Sequence, residues 1–154
     1  MKTMKNKLWI FLVGLVFLFA CEEETVNSVV SFIQTTADIT TDDLSPVTVS
    51  FDISPSAPSN STISVIVTDG AYGETFTTDP VQAGGQIDIP VSAGAESAEF
   101  TIIPIEEGIL FADIELAFEI VSVGEGLTTE EFDGRFFDFT IVNNKEQGSG
   151  LPFS

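Results

Sequence analysis

The chain contains no histidine, one cysteine and only five lysine or arginine residues among its 154. Without histidine it lacks the commonest general base, the usual zinc ligand and the central residue of Ser-His-Asp and Cys-His catalytic sites. One cysteine cannot form a disulfide within the chain. The sequence also has no glycine-rich phosphate loop and no Gly-x-Ser-x-Gly motif. We therefore predict that the protein is not an enzyme.

The N-terminus has the pattern of an export signal. Three lysines within the first seven residues precede an uncharged apolar run, LWIFLVGLVFLFA, over residues 8–20. A positive region followed by an apolar segment too short to cross a bilayer is typical of a signal peptide. The run ends in Leu-Phe-Ala-Cys, which resembles a bacterial lipobox, although Phe19 is bulkier than the usual residue. This resemblance implies cleavage before Cys21, lipid attachment to that cysteine and anchorage in a membrane.

Three glutamates, residues 22–24, follow the cysteine directly. An acidic cluster at this position resembles the surface-export signal of Bacteroidetes lipoproteins, and the alternative is a solvated acidic linker. We expect a signal peptide over residues 1–20, an acidic tether over 21–28, one domain over 29–144 and a flexible tail over 145–154. The expected location is the cell envelope, at the outer membrane and exposed on the surface.

Charge excludes one class of partner. Once the signal peptide is removed, two cationic side chains remain against 24 carboxylates, which gives a net charge of −22. Such a field repels nucleic acid, whose recognition requires a basic surface. It keeps a surface protein soluble and attracts divalent cations.

Alternating apolar and polar residues predict seven strands and no long helix. We expect an all-β protein, an immunoglobulin-like β-sandwich of about seven strands that follows the lipoprotein signal peptide. One helical turn is expected near residues 128–132, and the Ser-Ala-Gly-Ala segment 92–95 predicts a hairpin. The predicted strands centre on residues 29–33, 47–54, 63–67, 87–91, 98–105, 114–120 and 137–141.

Proline and phenylalanine refine this prediction. Pro90 and Pro104 lie inside strand patterns, which indicates edge positions or bulges. Most phenylalanines occupy inward positions and are expected in the core: Phe51, Phe100, Phe118, Phe137 and Phe139. A sugar-stacking surface would need exposed aromatic rings, and the candidates in loop-like segments are Tyr72, Phe76 and Phe111.

The order of motifs resembles a Calx-β domain. The segment SVIVTDGA over residues 64–71 matches a strand that runs into Asp-Gly, and AEFTIIPIEE over 98–107 matches a strand that ends in an acidic pair. A phenylalanine-containing strand, LAFEI over 116–120, and a final strand, FDFTIV over 137–142, follow. The resemblance covers about residues 29–144, and its motifs are loose.

Calx-β domains can bind Ca²⁺ through carboxylates at one end of the sandwich, so the resemblance implies a weak calcium site. Glu106 and Glu107 match the acidic pair, although the family usually has two aspartates there. Where a further acidic residue is expected the chain has an isoleucine, with Asp113 and Glu115 beside it. With Asp69, these four acidic residues form the predicted calcium-binding set. No other cofactor is expected.

Three functions remain open at this stage. The first is a non-catalytic binding or adhesion module, held at the cell surface by lipid, with a protein or glycan partner. The second is a structural or accessory subunit of an outer-membrane complex. The third is a weak calcium-binding module of the Calx-β type.

Overall fold

The computed structural model describes residues 26–106, 112–130 and 132–144. These form two five-stranded sheets, which we call sheet 1, with strand order β5-β7-β3-β1-β9, and sheet 2, with strand order β2-β10-β8-β4-β6. The strands are β1 (Ser28–Phe32), β2 (Thr36–Thr40), β3 (Val47–Ser54), β4 (Ser61–Asp69), β5 (Phe76–Asp79), β6 (Gln86–Val91), β7 (Ser97–Pro104), β8 (Ile114–Val123), β9 (Leu127–Thr129) and β10 (Phe136–Val142).

The period-two sequence pattern is the physical basis of this architecture, because successive side chains of a strand point to opposite faces. Along β10, Phe137, Phe139 and Ile141 are buried, while the residues between them are exposed or half-buried. β3 and β8 repeat the alternation. The inward residues of both sheets form one core, so the prediction of an all-β sandwich is confirmed.

The core is built around a chain of phenylalanine rings. Phe118 has no exposed surface, and its ring centroid lies 5.9 Å from that of Phe76, 5.5 Å from that of Phe100 and 6.0 Å from that of Phe137. Phe51 and Phe32, on β3 and β1 of sheet 1, continue this row of rings, and their ring centroids are 4.7 Å apart. Aromatic pairs at these distances add to the stability that burial itself provides.

Three short strands were missing from the sequence prediction: β2, β5 and β9. After β1, which pairs antiparallel with β3, the chain changes sheet, and β2 pairs parallel with β10. β9 pairs parallel with β1, so the helical turn expected near residue 128 was wrong. Leu127 is buried and Thr128 is exposed, and three residues are too few for this alternation to be recognised.

The hairpin expected at residues 92–95 was also wrong. This segment joins β6 of sheet 2 to β7 of sheet 1, and these strands do not pair. The Gly94 N–H donates to the Ala57 carbonyl at 2.7 Å, and the Ala57 N–H donates to the Ala95 carbonyl at 2.8 Å. The turn therefore crosses the sandwich and is held by the loop after β3. Alternation on both sides of a turn cannot distinguish a hairpin from such a crossing.

Both prolines avoid the need for a ladder hydrogen bond, by different means. Pro90 lies on β6, an edge strand, as expected. Pro104 is the last residue of β7, which is an inner strand, but the register with β3 ends at Ile102, so Pro104 has a strand partner only in β5. Pro104 therefore lies at a local edge, where a missing N–H costs no ladder hydrogen bond.

The strand directions define two ends of the sandwich. β1 begins beside the last residue of β3, where the described chain enters the domain, and we call this the entry end. β4, β7 and β10 finish at the opposite end, and β8 begins there. Within the described ranges, no helix has the length and apolarity needed to cross a membrane. A chain that starts at Glu22 contains every strand and every core residue that the structure describes.

Candidate functional site

The described carboxylates of the predicted calcium set lie at or near the end of the sandwich opposite the chain entry, which we call the acidic end. Asp69 is the last residue of β4, Asp113 directly precedes β8, and Glu115 is the second residue of β8. Glu106 follows β7 by two residues and is exposed. Glu107 lies outside the described residues, as does Cys21, the predicted lipid attachment site.

Two of these carboxylates accept backbone hydrogen bonds. Asp69 Oδ1 accepts from the Gly70 N–H at 2.8 Å, and Asp113 Oδ1 accepts from the Asn143 N–H at 2.8 Å. Gly70 has a φ of +112°, and a Cβ there would lie 2.5 Å from Leu116 Cδ2. The Asp-Gly turn therefore requires glycine for its backbone conformation and for its packing. Asp113 ties the start of β8 to the end of β10.

The outer face of sheet 2 carries a shallow pocket of about 350 Å³ next to this end. Asp69, Glu115 and Asp138 contribute to its lining, together with Thr140. No three carboxylates among residues 26–106, 112–130 and 132–144 come together as a group that could hold a metal ion. A calcium site that also uses residues outside these ranges stays a prediction.

The loop between β2 and β3 adds an acidic turn at the same end. Asp43 Oδ1 accepts hydrogen bonds from the Ser45 hydroxyl at 2.6 Å and from the Ser45 N–H at 3.1 Å. The hydroxyl bond, followed by the backbone bond, lowers the pKa of Asp43 because both stabilise the ionised carboxylate.

A fixed residue, Ser28, lies at the entry end. Ser28 is fully buried, its N–H donates to the Gly126 carbonyl at 2.9 Å, and its hydroxyl donates to the Ser56 carbonyl at 3.0 Å. β1 is therefore fixed at the entry end, and the acidic end lies at the opposite end of the sandwich.

A second surface lies on the flank of the sandwich, where β2 forms the edge of sheet 2. Phe132 is 75% exposed and Phe136 is 46% exposed, and both border a groove of about 390 Å³. Thr36, Asp133 and Asp138 also line this groove. We call it the aromatic groove.

A cleft of about 150 Å³ lies on the other side of β2, between the two sheets, and its lining includes the polar residues Gln34, Thr48 and Ser50 beside apolar ones. Ala37, Val47 and Val49 contribute to it, Phe137 forms part of its wall, and Ile33 is 58% exposed at its border. The cleft exists because β1 pairs only with residues 51–54 of β3. The first half of β3 therefore has no β1 strand beside it.

No protein-family model matches the chain, and no curated protein matches it. Solved structures do. The chain is 12% identical to the Calx CBD1 domain in its apo form, with a TM-score of 0.60, over 77% of this chain and 98% of that one. The calcium binding domain of CALX1.1 gives 13% identity and a TM-score of 0.58 over 74% of this chain and 45% of the other.

The chain has a Calx-β-like fold. A two-domain Bacteroides fragilis protein of unknown function also matches, at 7% identity and a TM-score of 0.56, over 86% of this chain and 49% of that protein. Identities this low establish the fold alone. The fold expected from the motif order is therefore confirmed, whereas the residues that would bind a ligand are not tested by the likeness.

Two of the three aromatic candidates belong to the interior of the Calx-β-like sandwich. Phe76 is fully buried at the start of β5, and the half-buried Tyr72 ring packs edge-on against it at 5.4 Å. The Tyr72 hydroxyl accepts from the Gln82 N–H at 2.8 Å, so its polar tip is also satisfied. Phe76 is therefore excluded as a stacking candidate, whereas the Tyr72 ring is partly exposed and its candidacy stays a prediction. Phe111 lies outside the described residues.

The exposed aromatic residues of the Calx-β-like sandwich were missed. A signal was available for Phe136, because Phe137 and Phe139 alternate inward and the residue before them must point outward. Phe132 lies between strands, where sequence periodicity carries no information about exposure.

Proposed function

We propose that the protein is an exported lipoprotein, anchored through Cys21, whose Calx-β-like sandwich is a non-catalytic binding or adhesion module. Its place would be the outer membrane, facing outward, and its partner a protein or glycan. The anchor is argued from the lysine-flanked apolar run and the Leu-Phe-Ala-Cys sequence that ends it.

One observation carries the proposal: the chain enters the sandwich at the end opposite the acidic loops. Ser28 is fixed at the entry end, whereas Asp69 and Asp113 lie at the far end. The seven residues from 22 to 28 reach at most about 25 Å when extended. An anchor on Cys21 would therefore hold the domain near its membrane with the acidic end and the flank accessible.

The anchor is tested by expressing the full chain in a Gram-negative bacterium and measuring its intact mass after membrane extraction. We expect loss of residues 1–20 and added acyl chains in the wild-type chain, and neither change in Cys21→Ser, because the cysteine thiol accepts the lipid before the peptide is cut. A wild-type chain without added acyl mass, or a Cys21→Ser chain that is cut and acylated as in wild type, would contradict lipid anchorage at Cys21.

The binding function is tested by surface cross-linking of cells that display the wild-type chain. We expect a specific cross-linked partner, absent when a displayed unrelated sandwich of similar charge replaces the domain. A monomer with no cross-linked species would contradict a binding module. A partner that belongs to an outer-membrane transport or secretion complex would indicate the accessory-subunit alternative.

Calcium binding is a second candidate. Solved Calx structures with this fold include one described as a calcium binding domain, and Asp69 and Glu115 line one pocket here. Thermal unfolding of residues 22–154 with and without 5 mM Ca²⁺ tests it, with Mg²⁺ as control. A ligand at about tenfold its Kd stabilises by roughly 1.4 kcal/mol, which shifts Tm by several degrees.

The test variant for this measurement is Asp69→Asn with Glu115→Gln. Its matched control is Asp52→Asn with Glu99→Gln, which makes the same changes on the outer face of sheet 1. A calcium-specific shift that only the first pair abolishes would support the site. No shift, or an equal shift with Mg²⁺, would contradict a calcium-specific site and would indicate that the acidic residues serve solubility.

A further inference from the structure

Among the described strands none pairs with the outer edge of β2, which presents a regular row of backbone groups. The Asp138 N–H donates to the Thr35 carbonyl, and the Thr41 N–H donates to the Val142 carbonyl. In a parallel pair, alternate residues of a strand direct both backbone groups to the same neighbour. Ala37 and Ile39 therefore bond to β10, while the N–H groups of Thr36 and Asp38 point away from the sheet.

The two sides of this edge differ in charge. On the outer face of sheet 2, Asp38, Asp133 and Asp138 are all exposed. Arg135 is the one basic side chain in the described ranges, and its guanidinium is already paired with Glu119 at 2.9 Å. On the inner side lies the cleft, whose lining has no charged residue and includes Ala37, Val47 and Val49.

Because side chains alternate along a strand, an added strand would place every second residue over the carboxylates and the others over the cleft. We propose that the β2 edge binds an extended segment of a partner protein in which basic and apolar residues alternate. The proposal rests on the binding function above and names the surface and the chemistry of the partner.

The negative charge beside the β2 edge favours a partner segment with basic side chains. Arginine or lysine heads would meet Asp38 and Asp138, while their aliphatic stems would cover the exposed rings of Phe132 and Phe136 in the aromatic groove. Apolar side chains of the same segment would contact Ala37 and enter the cleft. Backbone hydrogen bonds to the free edge would supply affinity, as in other cases of strand addition.

The probe is the synthetic peptide acetyl-Val-Arg-Val-Arg-Val-Arg-amide, and the control is acetyl-Val-Val-Val-Arg-Arg-Arg-amide, which has the same composition without alternation. Titration into residues 22–154, followed by calorimetry, should give at least tenfold tighter binding of the alternating peptide. Equal binding of both peptides would overturn the proposal, because charge alone would then explain the interaction.

Variants separate the backbone edge from the charges. Thr36→Pro removes one outward N–H without changing charge and should weaken binding at least tenfold, whereas Thr36→Val keeps that N–H and should not. Asp38→Lys with Asp138→Lys should weaken binding at least tenfold, and Asp52→Lys with Glu99→Lys, the same charge change on sheet 1, should weaken it less than threefold. Circular dichroism and Tm confirm that each variant is folded.

Other occupants give different results. A concentration-dependent dimer that Thr36→Pro abolishes would overturn the proposal in favour of a second copy. Tight binding of the alternating peptide only after removal of residues 145–154 would overturn it in favour of the chain's own tail. Cross-linking from cells that display Thr36→Pro separates failure of this proposal from failure of the proposed function. A partner recovered as in wild type would contradict binding at the β2 edge but would still support a binding module.

Discussion

Phe136 and Phe137 are neighbours on β10, yet one is 46% exposed and the other 2% exposed. The buried ring joins the phenylalanine chain of the core, and the exposed ring borders the aromatic groove on the flank. The difference follows from strand parity alone. Composition therefore does not distinguish a phenylalanine that holds the fold from one available to a partner, whereas position on the strand does.

The largest effect that would test this comparison is Phe118→Ala. Its ring is fully buried among Phe76, Phe100 and Phe137, so its loss leaves a cavity and should destabilise the protein by about 3–5 kcal/mol. Urea denaturation of residues 22–154 measures this change. Phe136→Ala is the matched control and should cost less than about 1 kcal/mol. Equal losses for the two variants would contradict the division into core and flank.

Arg135→Met sharpens the comparison at the boundary between the two regions. The Arg135 Nε–H donates to the Ile120 carbonyl at 2.9 Å, and the guanidinium is paired with the partly buried Glu119. Because Arg135 and Glu119 are 35% and 23% exposed, water screens the pair, and we expect a loss of about 1 kcal/mol. Arg135→Lys keeps the charge and should recover part of it. A loss as large as that of Phe118→Ala would place Arg135 with the core.

Phe132→Ser should have almost no effect on stability. With 75% of its surface exposed, the ring contributes little burial, and the free energy of unfolding should change by less than about 0.5 kcal/mol. The same denaturation experiment measures it. A loss well above 1 kcal/mol would show that the ring packs against the domain in solution and is not available to a partner.

The smallest effect concerns Asp43, a fully exposed group on the loop after β2. Removal of the Ser45 hydroxyl in Ser45→Ala should raise the pKa of Asp43 toward its usual value, because the backbone bond alone remains. With a lowered folded pKa, the contribution of Asp43 to stability is present above its unfolded pKa and is lost as pH falls through the folded value. An NMR titration of the Asp43 carboxyl carbon measures this. An unchanged pKa would contradict the hydrogen bond.

The sequence was sufficient to predict the fold class because seven strands have a clear alternation of apolar and polar residues. β5 and β9 have four and three residues, which is too short for the pattern to emerge. β2 has five residues, as many as β1, but its only apolar residues are Ala37 and Ile39, and both are half-buried. The change of sheet at residues 33–35 also could not be predicted, since partner choice depends on contacts distant in sequence. The acidic end followed from the motif order, whereas the β2 edge depends on which strand lies last in its sheet.

Residue-resolved amide hydrogen exchange along β2, in the free protein and with the alternating Val-Arg peptide, tests the central claim most directly. In the free protein we expect slow exchange at Ala37 and Ile39, which bond to β10, and fast exchange at Thr36 and Asp38. Addition of the peptide should slow Thr36 and Asp38 at least tenfold. Slow exchange at Thr36 and Asp38 before any peptide is added, or no change after it, would contradict an open edge that binds an extended partner.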